Sequence, residues 1–523
     1  MSVAQIRSQL EKPAPAARSV GDLALEQRVD EILNRHPAIG LALGIIRNGR
    51  LEFFRGHGFA DIESKTPITE HTVFRIGSIT KTFTGVAVMQ LWERGLLDLD
   101  APANDYLRAF KLVPTKASFR PATVRHLLTH TAGIPEIAHR PSAGFWMLDD
   151  IVKAGRPVPS LAEYYRDGLR IDVEPGTRFV YTDHDFATLG QIVEDVSGVP
   201  FDSYLREHVF KPLGMDHTDV VRSERVRSHL ASAYDVGSRA IRPIDDFDVL
   251  TAGGGAAYST TKDMALYVAA LLNGGSNEHG SVLKPATLAT MFEPHHRTDP
   301  RLPGEGLVFS RAIVGGHLAV GHGGILPGFI SQMWLAPADG LGVLAFTNGS
   351  RLAMLWLPGE GLGVLRQMLG AADEGVRHDV PQHPELWPDM CGWYKLRARL
   401  TDIRARAMVG GIGAEVFVRH GHLNVRLLTP IPALYRGFPL HPDDESDPYA
   451  FRIDISEFGM GTARVVFSQD GDGRTAWVHA DFVPLCLEKQ PSSKNPRYWV
   501  TGIVGALATA AAAAGARRLR NGS

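Results

Sequence analysis

The chain is poor in cysteine. Only Cys391 and Cys486 occur among 523 residues, both late, too few for a disulfide framework and in keeping with a reducing compartment. It also lacks an excess of either charge, since 55 basic residues stand against 57 acidic ones for a formal net charge of -2. Without basic blocks there is no electrostatic footprint for nucleic acid, and no nucleic-acid partner is expected. The opening residues, MSVAQIRSQLEKPAPAARSV, contain no apolar core of a secretory signal, so the expected location is cytoplasmic. No Gly-x-Ser-x-Gly occurs, which removes the nucleophile elbow of an α/β-hydrolase. His-Glu-x-x-His is absent too. His126 and His130 in HLLTH stand four apart without an obvious third ligand, so they read as core or turn histidines, and no metal or organic cofactor is expected. The pair His295-His296 and the stretch HPDDESDP at 441–448 read as solvent-facing.

What is present is an ordinary globular composition, 44% hydrophobic and 21% charged, on a chain long enough for more than one core. Residues 1–22 read as a flexible Pro/Ala tail. Leu25, Val29, Ile32 and Leu33 then recur at helical spacing. Two β-like runs, IGLALGII and RLEFFRG, meet at Asn48-Gly49, a strong hairpin signal. A helical pattern runs from Ser78 to Arg94 and ends at Gly95, a plausible C-cap. Helices dominate to about residue 275, and strand-like runs return at HLAVGHGG, FISQMWLAP and LGVLAFTNG. A sheet built from both ends and enclosing a helical middle makes residues 23–375 one α+β domain. Residues 376–490 are short alternating runs between Gly/Asp/Pro turns, the pattern of a smaller antiparallel all-β domain, sandwich or barrel. Residues 491–523 form a linker and an Ala-rich tail. Tyr498 to Ala516 carry no charge and are followed by Arg517, Arg518 and Arg520. This stretch is long enough to reach across a bilayer core, and it offers a membrane attachment against the alternative of a helix docked on the protein surface.

The segment FRIGSITKTF sets Ser78 and Lys81 three residues apart, on one helix face. A lysine so placed can manage the proton of a serine hydroxyl, and a helix start favours charge developing on that oxygen. The pattern alone is weak, because about one Ser-x-x-Lys is expected by chance in such a chain. Ser259-Lys262 and Ser281-Lys284 share it. Ser259 reads as a helix N-cap and Ser281 as a loop residue before a helix starting near Pro285. Only Ser78 opens a long apolar helix between two sheet segments.

Downstream partners carry a resemblance. FRIGSITKTF is followed by Tyr181-Thr182-Asp183 in EPGTRFVYTDHDFATLG and by His322-Gly323-Gly324 in GHGGILPGF. In this order, with HLLTHTAGIP, YLREHVFKPLGMDHT, GGGAAYSTTKDMA and GVLAFTNGS between and after them, residues 23–350 resemble the penicillin-recognising serine hydrolases. The branch is that of class C-type β-lactamases, DD-peptidases, D-aminopeptidases and family VIII carboxylesterases. The resemblance implies a β-lactamase-like catalytic domain in which Ser78 attacks a carbonyl and forms an acyl-enzyme. Tyr181 and Lys81 form the base, either as phenolate beside ammonium or through a neutral lysine. Tyr181 then protonates the leaving group and activates the deacylating water. The backbone N–H groups of Ser78 and Ile325 make the oxyanion hole, and Gly323 and Gly324 keep the strand edge bare for substrate.

Two departures shape the expected substrate. His322 replaces the lysine of the β-lactamase version, as in the esterase and peptidase branches. It is read as polarising the Tyr181–Lys81 pair, against the alternative of a histidine that only ties strand to helix. Asp183 stands where the family usually has asparagine. An amide both donates and accepts, whereas a carboxylate only accepts, which moves the expectation from peptides and β-lactams towards small esters. The sequence therefore points to a serine hydrolase of a small ester or amide, esterase favoured. D-aminopeptidase, DD-peptidase or β-lactamase activity is the alternative within the class, and a non-catalytic binding or scaffold protein the alternative outside it.

Overall fold

A hairpin closed at Asn48-Gly49 starts the principal sheet. Strands β1 (Gly40–Arg47) and β2 (Arg50–Asp61) pair antiparallel across a turn with φ of 54° at Asn48 and 73° at Gly49. Positive φ at both residues is what a type I′ turn requires and what Asn-Gly tolerates. This computed structural model describes residues 20–138, 150–238, 240–372, 375–396, 413–429, 432–458, 461–481 and 483–497. The expected tail stretch 498–516 and all but the end of the 1–22 segment lie outside the described residues. No helix among the described residues is long and apolar enough to cross a membrane.

The described chain divides into two units. One runs to Gly375 and includes Ile455–Ala463, and the other holds the remainder from Val376. In the first unit the sheet is completed by β3 (Thr66–Pro67), β4 (Ser310–Val314), β5 (His317–Leu326), β6 (Phe329–Ala336) and β7 (Leu341–Thr347). The strand order is β4-β5-β6-β7-β1-β2-β3. Strand β1, early in sequence, pairs with the late β7 from Leu41↔Thr347 to Arg47↔Leu341, which is how the two ends of the unit enclose its helical middle.

Alternation along β1 and β7 sorts their side chains onto opposite faces. Ala42, Ile46, Leu344 and Phe346 join the core that holds Phe83 and Val86 of the helical middle. Leu41, Leu43, Ile45, Val343 and Ala345 join a second core with Val29, Ile32, Trp356 and Val364. The helices that supply these residues and the site are α1 (Val20–Arg35), α2 (Thr80–Glu93), α3 (Asp183–Ser197), α4 (Thr261–Leu272) and α5 (Ala353–Met368). The sheet is thus covered by α1 and α5 on one side and the helical middle on the other.

A buried charge fastens α1 to α5. The Glu360 side chain is 2% exposed and receives Arg28 Nη2 at 2.8 Å, Arg35 Nη1 at 2.9 Å and His36 Nε2 at 3.5 Å. His36 also stacks on Trp356, with ring centroids 4.7 Å apart and 4° between planes. Removing the shared anion leaves the Arg28 and Arg35 guanidiniums facing one another in a partly dry site. Glu360→Ala is therefore expected to lose about 2 kcal/mol of stability, short of the full penalty for a deeply buried pair because both arginines reach solvent. Urea denaturation of Glu360→Ala and Glu360→Gln would measure the loss, and a midpoint unchanged in both would contradict it.

The second unit is one nine-stranded antiparallel sheet between Gly392 and Gln490. Its two edge strands, Phe438–Pro439 and His441–Asp444, are separated only by Leu440. With one residue between them the two edges run end to end, the first paired with Asn424–Val425 and the second with Phe451–Arg452, so the sheet curls into a near-closed barrel and leaves little open edge. The HPDDESDP stretch, expected as a solvent loop, is instead a hairpin of His441–Asp444 with Asp447–Asp454. The reason is Asp443, whose carboxylate draws in Arg452 at 2.8 Å and Arg464 at 3.0 Å from neighbouring strands. Cys391 and Cys486 are both free thiols.

Candidate active site

Ser78 lies in a tight turn, Gly77–Ile79, between the short strand Val73–Arg75 and the start of α2. Gly77 has φ of 51°, and a Cβ there would stand 2.9 Å from Ile325 N, so both backbone and space call for glycine. The Thr80 hydroxyl donates to Gly77 O at 2.6 Å and accepts from Ala257 N at 3.0 Å. Gly77 and Ile79 are buried by this tightening, while Ser78 between them stays half-exposed.

The first turn of α2 places Lys81 beside that hydroxyl. Lys81 is fully buried, and its Nζ donates to Ser78 Oγ at 2.9 Å, Asp183 Oδ1 at 2.5 Å and Gly254 O at 2.7 Å. These three acceptors match the three N–H bonds of an ammonium. One of them is a carboxylate, so the buried charge is both paired and hydrogen-bonded. The Gly254 carbonyl gets this close because its turn packs against the start of α3, where a Cβ on Gly254 would meet the Asp183 Cβ and carbonyl oxygen at 3.0 Å.

The entry to α3 supplies the next group. Thr182 is the N-cap, its hydroxyl accepting from His184 N at 3.2 Å and donating to Pro135 O at 3.1 Å. Asp183 is therefore the first helical residue, with its carboxylate at the positive end of the helix dipole. Tyr181 directly precedes the cap, half-buried, with its ring centroid 4.9 Å from Lys81 Nζ.

Strand β5 forms the opposite wall. It pairs with β4 only as far as Ser310↔Gly321, and from His322 to Leu326 it keeps β6 alone as a strand neighbour among the described residues. The Ser78 turn rises against this stretch. A Cβ on Gly324 would stand 2.0 Å from Ile76 O, and Ser331 of β6 donates to that same carbonyl at 2.8 Å. The Ile325 side chain is 53% exposed, while its backbone nitrogen lies at Gly77. His322 Nδ1 is 2.6 Å from Gly323 O. A carbonyl only accepts, so Nδ1 holds the proton and Nε2 offers a lone pair. Burial, with the Lys81 charge second, pushes this imidazole down to a pKa of about 4, which makes it neutral near pH 7.

Ser78, Lys81, Tyr181, Asp183, His322, Gly323, Gly324 and the Ile325 nitrogen thus come from three separated stretches of chain. The other two Ser-x-x-Lys serines lie elsewhere. Ser259 is fully buried in the short strand Tyr258–Thr260, its hydroxyl 2.8 Å from Thr218 Oγ1. It is not the N-cap expected from the sequence. Thr260 caps α4 by accepting from Asp263 N at 3.0 Å, and strand alternation turns Ser259 away. Ser281 is exposed and bonded to Leu283 O. His295 and His296 are half-buried rather than solvent-facing, because His295 Nε2 meets Thr290 O at 2.8 Å and His296 stacks on Phe179. Sequence reasoning missed Gly254 and Ser331. The run Gly253-Gly254-Gly255 was a usable signal for the first.

The family model described as Beta-lactamase matches residues 25–355, and the chain belongs to that family. A curated protein of Yersinia enterocolitica named Beta-lactamase is 30% identical over 265 residues, which is 50% of this chain and 62% of that protein. The chain thus spans less than two thirds of that relative's length. Esterase EstB of Burkholderia gladioli is 29% identical over 381 residues, 64% of this chain and 93% of that protein. Among solved structures, the octameric penicillin-binding protein homologue from Pyrococcus abyssi is similar with a TM-score of 0.57 at 24% identity. That likeness covers 90% of this chain and 100% of the other, and it speaks to the fold.

Proposed function

We propose that the protein is a serine hydrolase that forms an acyl-enzyme on Ser78 and turns over small esters in preference to amides. The observation that carries this reading is Lys81 Nζ held between Ser78 Oγ, Asp183 Oδ1 and Gly254 O, an all-oxygen set that suits an ammonium. An ammonium cannot take a proton, so in this reading Tyr181 works as the phenolate beside it and accepts the Ser78 proton. Lys81 then stabilises the oxygen that attacks. The serine oxygen bonds to the substrate carbonyl carbon, and charge on the carbonyl oxygen is held by the Ser78 and Ile325 N–H groups. Tyr181 returns the proton to the leaving alcohol, then takes one from the water that attacks the acyl carbon and passes it to Ser78 Oγ as the acyl–oxygen bond breaks. His322 contributes a neutral acceptor beside the open edge of β5, and no step calls for a cofactor. Fluorophosphonate labelling of Ser78, with p-nitrophenyl ester hydrolysis, tests the reading; an unlabelled, inactive protein would point to a binding or scaffold role.

The preference for esters rests on Asp183. Its Oδ1 is engaged by Lys81, and a carboxylate has no N–H to offer an amide carbonyl. Asp183→Asn is expected to raise amide or β-lactam turnover relative to ester turnover by about tenfold, the worth of one restored hydrogen bond. A panel of short acyl esters, D-amino-acid amides and a chromogenic cephalosporin reads this ratio. A ratio unchanged within about twofold would mean that residue 183 does not face the substrate.

A further inference from the structure

His130 is the second histidine of HLLTH, and it touches three consecutive residues around Tyr181. Its carbonyl oxygen accepts from Val180 N at 2.7 Å, and its ring lies 4.4 Å from the Tyr181 ring, centroid to centroid. Its Nδ1 stands 3.5 Å from Thr182 N. It achieves this in a left-handed backbone conformation, φ 54°, which is uncommon outside glycine and concentrates at sites where the surroundings impose it. The ring is also held from behind. Asp185 Oδ2, two residues beyond Asp183 on α3, is 2.8 Å from His130 Nδ1, and their side chains are 1% and 7% exposed. Phe186 and Phe179 close the remaining sides, with centroids at 5.1 and 5.6 Å.

We propose that His130 and Asp185 are positioning residues for Tyr181, forming a buried pair that fixes its ring against Lys81 and Ser78. The geometry couples both ends of the base. Asp185 sits on the helix that begins with the Lys81 partner Asp183, and His130 grips the residues just before that helix. A rotation of the His130 ring therefore displaces Tyr181 relative to Lys81. Burial holds the Asp185 carboxyl well above the usual carboxylate range, opposed by the Lys81 charge and reinforced by that of Asp183. This suits a single proton kept between Nδ1 and Oδ2. The inference rests on Tyr181 acting as the base in the function proposed above.

The test uses the full chain carrying His130→Asn, Asp185→Ala or Asp185→Asn, each checked for folding by circular dichroism. Asparagine tolerates left-handed backbone, so His130→Asn removes the ring while sparing the turn. An amide can donate or accept towards Nδ1, so Asp185→Asn preserves the tie that Asp185→Ala breaks. The expected result for His130→Asn and Asp185→Ala is a fall in kcat of about 10- to 100-fold on p-nitrophenyl esters at nearly unchanged KM, the scale of a sub-ångström to 1 Å misplacement. Fluorophosphonate labelling of Ser78 should slow in step, and Asp185→Asn should regain most of the rate. A folded His130→Asn with full kcat, a loss expressed only in KM, or Asp185→Asn as slow as Asp185→Ala would overturn the proposal. If Asp185→Ala fails to fold, His130→Asn and Asp185→Asn decide it. Failure of the unmodified protein to label at Ser78 would sink the hydrolase reading, and this inference with it.

Discussion

Ser78→Ala is expected to abolish p-nitrophenyl ester hydrolysis, by about four orders of magnitude or more, because the covalent intermediate cannot form and no neighbouring group can replace it. The fold should hardly notice. The hydroxyl makes one hydrogen bond, from Lys81 at 2.9 Å, and Lys81 keeps Asp183 and Gly254 O as acceptors. A loss of about 1 kcal/mol follows, a shift of only a few degrees in Tm for a unit of this size. Ser259→Ala and Ser281→Ala are the informative controls. Ser259 bonds Thr218 inside the core, and Ser281 sits on the surface, so the first should lower Tm slightly and both should keep activity. An active Ser78→Ala paired with an inactive control would overturn the assignment of the nucleophile.

Those controls show which parts of the site can be read from sequence. All three serines carry the same Ser-x-x-Lys spacing, and local spacing cannot rank them. What separates them is where the fold sends each lysine: Lys81 into a fully buried pocket, and Lys262 and Lys284 to the surface. The Asn48-Gly49 hairpin was legible because its turn geometry is local. The third Lys81 partner was not, since a backbone carbonyl such as Gly254 O belongs to every residue type and only the packed glycines around it hint at its use. His130 reads from the sequence as a core or turn histidine, and it is buried. Its grip on residues 180–182 depends on α3 arriving beside it, which no periodicity encodes. The acidic stretch at 441–448 misled for a related reason. Acidity reads as solvent exposure until Arg452 and Arg464 arrive from adjacent strands.

The glycines of His322-Gly323-Gly324 make a final test of geometry against chemistry, because neither is a chemical group in the reaction. Successive residues of β5 face opposite sides of the sheet, so adding one methyl at each position probes different surroundings. On Gly323 a Cβ would meet Gln332 Oε1 at 2.7 Å, the far end of a flexible side chain that can move aside. On Gly324 it would stand 2.0 Å from Ile76 O and 2.4 Å from Ser331 Oγ. Ile76 O is backbone two residues ahead of Ser78 and is already pinned by the Ser331 hydroxyl at 2.8 Å. The clash can be relieved only by parting β5 from the Ser78 turn, which moves the Ile325 nitrogen away from the serine. Gly324→Ala is thus expected to lower kcat by about 100-fold or more and to cost about 1–3 kcal/mol as an overpacked contact. Gly323→Ala should stay within about tenfold of the unmodified rate, the smaller loss expected where a side chain can yield. Esterase kinetics with thermal melts on the two variants read both effects. Equal kcat in the two would show that the approach of β5 to the Ser78 turn does not set the rate, and the oxyanion role of the Ile325 N–H would fall with it.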